Sequence, residues 1–307
     1  MKWTTRLAGL PVEVERARVE VREVAVPGYG APRPTSVLSL YGRGCTGHGE
    51  HVGWTRGVHD AFAAWCVGRT WPLTVGELAL DTPTEDLRHR RAAVEGALLD
   101  LSLQQAGISL GVAKMPLRYA LSFEATRAPA ARARAILSQT PGTRFKVDVH
   151  PGWAAAELDE LAQLDCVDIL DGKSRGARAL WHRIRDRFPE AILEDAPVSL
   201  PGPHALDQAL LVLDDVRCAL DDGALVNIKA PRMGSWLVAL EALELAGTRA
   251  YVGGMFEVGP GREQARSIAA LLCPDAPNDL APLDVDPTRA AVTPTPLEIA
   301  LDRVGFG

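Results

Sequence analysis

Four stretches of the chain place acids or lysines where an apolar run ends: RFKVDVH (144–150), CVDILDGK (166–173), AILED (191–195) and LVNIK (225–229). Side chains on a strand alternate between its two faces. Lys146, Asp148 and His150 therefore share one face, as do Ile169, Asp171 and Lys173, then Ile192 and Glu194, then Leu225, Asn227 and Lys229. A lysine at the end of a buried strand loses hydration, so something nearby has to compensate it. Asp171, Glu194 and Asp207 come from three candidate strands. Three carboxylates aimed at one spot repel each other unless a cation sits among them. Mg²⁺ (or Mn²⁺) suits such a set, taking oxygen ligands and keeping water or substrate oxygens in its remaining positions. Burial and nearby positive charge lower a lysine to about 7–8, where it serves as a base. Any one of these residues also reads as a structural salt bridge at a strand end. Together, at the exits of five successive strands, they read as a site.

The elements that must position them follow from the patterning. Residues 13–27 (EVERARVEVREVAVP) alternate apolar and polar with period two, as a half-buried strand does. GYGAPRPTS then leads into SVLSLYGRG and TGHGEHVGWT, a small antiparallel meander with glycines at the tight positions. Residues 83–106 are predicted helical, capped by Thr84 or Asp81, with a broad apolar stripe and a closing glycine. Residues 1–110 thus form an α+β segment. From Leu117 onward strands and helices alternate, which implies parallel βα units. Seven or so such units suit a closed barrel better than an open doubly wound sheet. An open sheet would also tend to show a dinucleotide fingerprint after its first strand, and none is present. Barrel enzymes do their chemistry at the C-terminal strand ends, which is where the charged residues lie.

Composition narrows the partners. The chain has 307 residues, 47% of them hydrophobic and 23% charged, with a mean hydropathy of +0.01. That is enough to bury a sizeable core. A net charge of -6 and a pI near 5.7 argue against nucleic acid, because counterion release needs a dense basic face. The arginines are interleaved with acids, as in RIRDRFPE, and read as solvated helix faces. No apolar run approaches ~18 residues, so no membrane span is expected. The start, MKWTTRLAGLPVEVERARVEVREV, lacks the long apolar core of a secretion signal. Five scattered cysteines (Cys45, Cys66, Cys166, Cys218 and Cys273) with no CxxC point to reduced thiols in a cytoplasmic protein and against a cysteine-based metal site. A small molecule is the expected partner, and a homo-oligomer is left open.

Read in order, several stretches resemble the enolase superfamily, in the branch containing muconate-lactonising enzyme and o-succinylbenzoate synthase. VNIKAPRMGS (226–235) resembles the sixth-strand motif of that branch, in which the lysine is an acid/base group. YVGGMFEVGPGR (251–262) resembles its seventh-strand motif, and CPDAPNDLAP (273–282) its eighth-strand region. TGHGEHVGWT (46–55) resembles the G-x-GE turn of its capping domain, and AAVEGALLDLSLQQAG (92–107) the helix joining cap to barrel. The resemblance implies an α/β fold: a modified TIM-like (β/α) barrel over 111–284, an N-terminal α+β capping domain over 1–110, and a tail, 285–307, packed back on the cap. It also implies Mg²⁺ held by Asp171, Glu194 and Asp207, from strands three, four and five. Asp207 precedes Lys229 by 22 residues, about one barrel repeat, but follows Glu194 by only 13. Either a helix has been lost there, or the ligand is Asp221 or Asp222. Asp207 is preferred, because the other choice leaves almost nothing between strands five and six.

The activity implied is removal of the proton α to a carboxylate, with Lys229 as one acid/base group and Lys146 or Lys173 opposite. Dehydration, cycloisomerisation or epimerisation of a small carboxylate substrate would follow. Two departures stand out. The family's second strand usually ends Lys-x-Lys, and here it is Lys146-Val147-Asp148. Its third strand usually has Asp, a small residue, then Asn, and here Lys173 stands at the Asn position. The two changes are expected to compensate: neighbouring strands lie about 4.8 Å apart, so Asp148 and Lys173 pair, or Lys173 replaces the missing base. Substrate contacts are expected from Tyr29 and Arg33 in VPGYGAPRPTS, from Asp148 and His150, and from Met255 and Glu257. Glu50 and His51 are expected to buttress the cap. Two other readings stand beside this one: a barrel that binds a small carboxylate without turnover, and a Schiff-base lyase using Lys229.

Overall fold

A computed structural model describes residues 2–24, 32–282 and 296–306. A short helix, α1 (Trp3–Ala8), precedes the antiparallel meander of β1 (Arg16–Val24), β2 (Arg33–Gly42) and β3 (Cys45–His51). Helices α2 (Arg56–Cys66) and α3 (Glu85–Ala106) follow. The Thr84 hydroxyl caps α3 by accepting from Leu87 N, and Gly107 ends it at φ 63°, a left-handed conformation glycine adopts without steric cost. Instead of burying one stripe, α3 is buried on every face from Ala92 to Leu103, because cap sheet and barrel pack against it from two sides. Gly47 and Gly49 permit this. A Cβ at these positions would stand 2.2 Å from Leu101 N and 1.9 Å from Ala93 O, so β3 rests directly on the helix backbone.

After β4 (Lys114–Leu117) come seven parallel strands in chain order: β5 (Leu121–Phe123), β6 (Phe145–Asp148), β7 (Val167–Asp171), β8 (Ile192–Glu194), β9 (His204–Leu206), β10 (Leu225–Ile228) and β11 (Ala250–Val252). Between and after them run α4 (Pro129–Leu137), α5 (Ala155–Ala162), α6 (Arg178–Arg187), α7 (Leu213–Asp221), α8 (Ala230–Met233), α9 (Trp236–Ala246) and α10 (Pro260–Leu272). The expected (β/α) barrel with an N-terminal domain is the fold. Its eighth strand is reduced to two residues: Asn278 bridges Tyr119 and Asp279 bridges Gly253, both in parallel, which links the first strand to the last. The C-terminal β12 (Leu297–Ala300) pairs antiparallel with β4, and Phe306 N donates to Asp100 on α3.

One connection breaks the alternation. Only residues 195–203 join β8 to β9, and they contain no helix, whereas a parallel crossover normally takes about a dozen residues or more. Arg185 secures the short path. Its guanidinium donates to the carbonyls of Phe188, Pro189, Ala191 and Pro203 at 3.1, 2.8, 3.0 and 2.6 Å. The helix between strands four and five is therefore the missing one, while Asp221 and Asp222 sit exposed at the end of α7. Inside the barrel, Ile169, Ile192, Ala205 and Tyr251 form one buried apolar layer. Two residues further along their strands stand Asp171, Glu194 and Asp207, so the period-two rule lifts the acids onto the next layer toward the C-terminal mouth. Among the described residues no helix is long and apolar enough to cross a membrane, and all five cysteines are free thiols.

Candidate active site

The stretch VNIKAPRMGS divides into strand, turn and cap. Lys229 follows β10 and opens the single turn α8, which Gly234 closes at φ 76°. Ser235 then caps α9, accepting from Val238 N at 3.1 Å, while its hydroxyl donates to Glu95 on α3 at 2.8 Å. The turn that aims Lys229 at the barrel mouth is thus pinned to the helix shared with the cap. Lys229 Nζ donates to Asp207 Oδ2 at 2.8 Å, and Arg232 takes the other oxygen of Asp207. Asp207 and Lys229 are both buried, and each is the partner that burial demanded of the other. Burial works against ionising Asp207, yet Lys229 and Arg232 hold its carboxyl below the usual range.

Gly253 makes room for this lysine. A Cβ there would meet Asn227 Oδ1 at 2.3 Å and Lys229 Cε at 2.4 Å. Gly253→Ala is expected to lower stability by about 1–2 kcal/mol through overpacking and to push Lys229 off Asp207. Urea denaturation together with a crystal structure of the variant checks this; an unmoved Lys229 at unchanged stability would contradict it.

A second group centres on Lys146, whose side chain is 3% exposed. Its Nζ lies 2.5 Å from Glu194 Oε1, 3.2 Å from Asp171 Oδ2 and 3.2 Å from Asp279 Oδ2. Burial disfavours the ammonium, but Glu194, Asp279 and Asp171 together hold it well above the ordinary lysine value. Glu194 also accepts from Asn227 Nδ2 at 3.1 Å and from the Tyr251 hydroxyl. Burial raises Glu194 to about 8, with Asp171 and Asp207 adding to the rise and Lys146 and Lys229 opposing it. Asp171, buried beside Lys146 and Lys173, is held well below the usual carboxylate range despite its burial.

The expected pairing of the two departures is present. Lys173 Nζ stands 3.1 Å from Asp148 Oδ1 and 2.7 Å from Asp171 Oδ2. Lys173 has φ 44°, a left-handed conformation that Asn tolerates better than Lys. Placing lysine there stores backbone strain, of the kind found where a side chain is held for a purpose. Burial opposes its charge, but Asp171 and Asp148 raise it to about 12.

The acids do not gather quite as expected. Asp171 and Glu194 come together, and the third carboxylate with them is Asp195, all three offering ligand atoms within 4.8 Å of one another. Asp207, expected as the third ligand, is instead turned to Lys229 and Arg232. Asp195 has φ 45° and accepts from Asp207 N and Gln208 N, both at 3.0 Å. The missing helix explains it: the short β8–β9 path folds Asp195 back against the strand end.

Of the other expected contacts, Tyr29 lies outside the described residues. Arg33 is buried, donating to Met255 O at 2.8 Å and to Val52 O, with Trp54 beneath it at 4.4 Å. It ties the cap to the loop after β11. Met255 is buried on that loop, its N–H held by Glu257 at 2.9 Å and its sulfur 3.6 Å from Arg232 Nη2. His150 accepts from Gly152 N at 3.0 Å, within its own turn. Glu50 does buttress the cap, accepting from Val258, Gly259 and Gly261 N at the start of α10. Sequence reasoning missed Asp195, Arg232, Tyr251 and Asp279, and placed Asn227 on the face of Lys229 without giving it a role. The quoted stretches contain all five, but nothing in their spacing signals that the fold brings them to Glu194, Lys146 and Asp207.

In sequence and overall fold the chain is similar to several known proteins. An o-succinylbenzoate synthase of Geobacillus stearothermophilus is 27% identical over 231 residues, 66% of this chain and 62% of that protein. The chain thus spans less than two thirds of that relative's length. A dipeptide epimerase of Enterococcus faecalis V583 superposes with a TM-score of 0.75 at 16% identity, covering 96% of this chain and 99% of the other. A dipeptide epimerase of Methylococcus capsulatus, complexed with Mg ion, does so with a TM-score of 0.66 at 21% identity, covering 92% and 98%. Residues 5–113 match the N-terminal domain, and residues 113–286 the C-terminal domain, of the domain of unknown function DUF8230. The chain belongs to the DUF8230 family and shares its fold with these dipeptide epimerases.

Proposed function

We propose that the chain is an enzyme that removes the proton α to the carboxylate of a small acid, with Lys173 and Lys229 as its acid/base pair and Mg²⁺ (or Mn²⁺) as its cofactor. The observation that carries this reading is the pair of lysines, on β7's end and β10's end, flanking one buried group of carboxylates. The donor set fits a hard divalent ion. Asp171, Glu194 and Asp195 offer only oxygen, which suits Mg²⁺ and not a softer metal. Six carboxyl groups at the mouth (Asp148, Asp171, Glu194, Asp195, Asp207 and Asp279) face four cations (Lys146, Lys173, Lys229 and Arg232). Asn227 Oδ1, buried beside Glu194, has no hydrogen-bond partner among the described residues. Asp171, Glu194 and Asp195 would hold the ion, which supplies a Lewis acid toward the substrate carboxylate.

The chain's own groups do the proton transfer. Lys173, raised to about 12 by its two acids, stands as the proton donor. Lys229, across the mouth, takes the α-proton. The relative named o-succinylbenzoate synthase favours dehydration as the outcome, with epimerisation as the alternative. The free thiols fit a reducing, cytoplasmic setting. In D₂O, a panel of small carboxylic acids is expected to include one that gains deuterium at its α-carbon, loses that exchange with EDTA and recovers it with Mg²⁺. A second reading, binding without turnover, draws on the pairing of five of the mouth acids (Asp148, Asp171, Glu194, Asp207 and Asp279) with a lysine or arginine. Tight binding with no exchange for any acid would favour it and overturn the first.

A further inference from the structure

The metal reading leaves one cation without a task. Lys146 holds no place in the proton transfer, yet its ammonium touches both Glu194 and Asp171, two of the three acids assigned to the ion. An ammonium and a divalent ion cannot share those oxygens at full strength, since each repels the other across a buried, poorly screened gap. The third partner of Lys146 is different. Asp279 comes from the two-residue eighth strand, lies outside the acid triad, and is anchored by the Ser122 hydroxyl at 2.8 Å. Lys146 Nζ is already 3.2 Å from it. A flexible four-carbon side chain can therefore give up Glu194 and Asp171 without being left unpaired, the one event that burial would punish.

We propose that Lys146 is the resident counter-ion of the divalent site. Its ammonium neutralises Asp171 and Glu194 when no metal is bound, and it withdraws onto Asp279 when a divalent cation enters. The affinity of the site is then set by how readily this lysine leaves. The proposal rests on the metal reading above and goes further, because it makes metal affinity a property of a residue that touches neither the transferred proton nor the ion. It also gives Asp279 a role, that of the docking point for the displaced charge.

Mn²⁺ binding to the full chain, followed by the loss of the free-ion EPR signal, tests this without any substrate. Lys146→Met is expected to bind Mn²⁺ about ten- to a hundredfold more tightly than the natural chain, as one opposing charge within about 4 Å is removed. Asp279→Asn is expected to bind about tenfold more weakly, because the displaced ammonium has lost its anchor. In the Lys146→Met background the same Asp279→Asn change should have little effect, and that coupling separates docking from simple loss of a negative charge. Asp171→Asn should abolish binding in every background. Equal or weaker binding by Lys146→Met, with binding by the natural chain intact, overturns the counter-ion role alone. If Lys146→Met does not fold, the Asp279→Asn titration decides, and an unchanged affinity there overturns the proposal. If neither the natural chain nor Lys146→Met binds Mn²⁺, the metal reading falls and takes this one with it.

Discussion

Lys229→Met is expected to abolish α-proton exchange into a responsive carboxylic acid, while Lys173→Met retains exchange and loses product. The asymmetry follows from the two environments. Lys173 is held by Asp148 and Asp171 and raised to about 12, so it enters the reaction carrying a proton. Lys229 has one carboxylate partner, Asp207, which Arg232 also occupies. Removing a positioned general base or acid costs about 10²–10⁴-fold. Loss of Lys229 should therefore lower the deuterium-exchange rate by about 10³-fold. Loss of Lys173 should lower product formation by a similar factor while exchange persists, because the proton is still taken but the leaving group or the opposite face is not served. NMR of the substrate α-position in D₂O reads exchange, and the same tube reads product. The inverse pattern would exchange the two roles. Unaltered exchange in both variants would remove lysine acid/base chemistry from the barrel altogether. Asp148→Asn adds a finer check: freed from one of its two acids, Lys173 should deliver its proton from a lower value, which would appear as an acid shift in the pH profile of product formation.

How much of this was legible before the fold was known depends on what kind of contact each residue makes. Strand ends were readable, because period two placed Asp171 above Ile169 and Glu194 above Ile192, and the barrel keeps that order. The compensation between Asp148 and Lys173 was readable too, since both sit at ends of adjacent strands and adjacency follows from chain order. The lost helix was visible as a short gap between Glu194 and Asp207. Its consequence was not. Asp195 joins the acids only because the short path turns its backbone left-handed and folds it back, a geometry no periodicity encodes. Asp279 and Tyr251 reach Lys146 and Glu194 across the barrel, from strands far away in sequence, and such contacts exist only after closure. Arg33 shows the opposite error. A basic residue next to a glycine- and proline-rich loop reads as a ligand contact, yet its guanidinium is spent on two backbone carbonyls between cap and barrel. Length and charge do not say whether an arginine faces a substrate or a carbonyl.

The cap should carry an acid-labile core built from three histidines. His51, His59 and His89 are all fully buried. His51 and His59 approach at 3.4 Å between their Nδ1 atoms, and His51 stacks on Phe62 with ring centroids 4.7 Å apart. His89 makes no hydrogen bond among the described residues; its nearest acid is Glu85 at 3.7 Å. Burial lowers all three below the ordinary imidazole value. For His89 the positive charges of Arg33, Arg88 and Arg232 add to burial, Glu85 opposes, and the result is about 4. The folded state thus keeps these rings neutral while the unfolded chain protonates them near 6.5. Stability is complete above that value and is lost as pH falls from 6.5 toward 4, because the unfolded chain then binds more protons. For His89 alone the loss at pH 5 is about 2 kcal/mol. His89→Leu, a change of similar volume, should lie within about 1.5 kcal/mol of the natural chain at pH 7. It should also become about 2 kcal/mol more resistant to acid than the natural chain by pH 5. Urea unfolding at the two pH values measures the difference. An equal gap at both would mean that folding does not lower the His89 value. Because Arg33 links this cluster to Met255 at the barrel mouth, loosening of the cap should be accompanied by loss of ligand affinity over the same range, before the barrel itself unfolds.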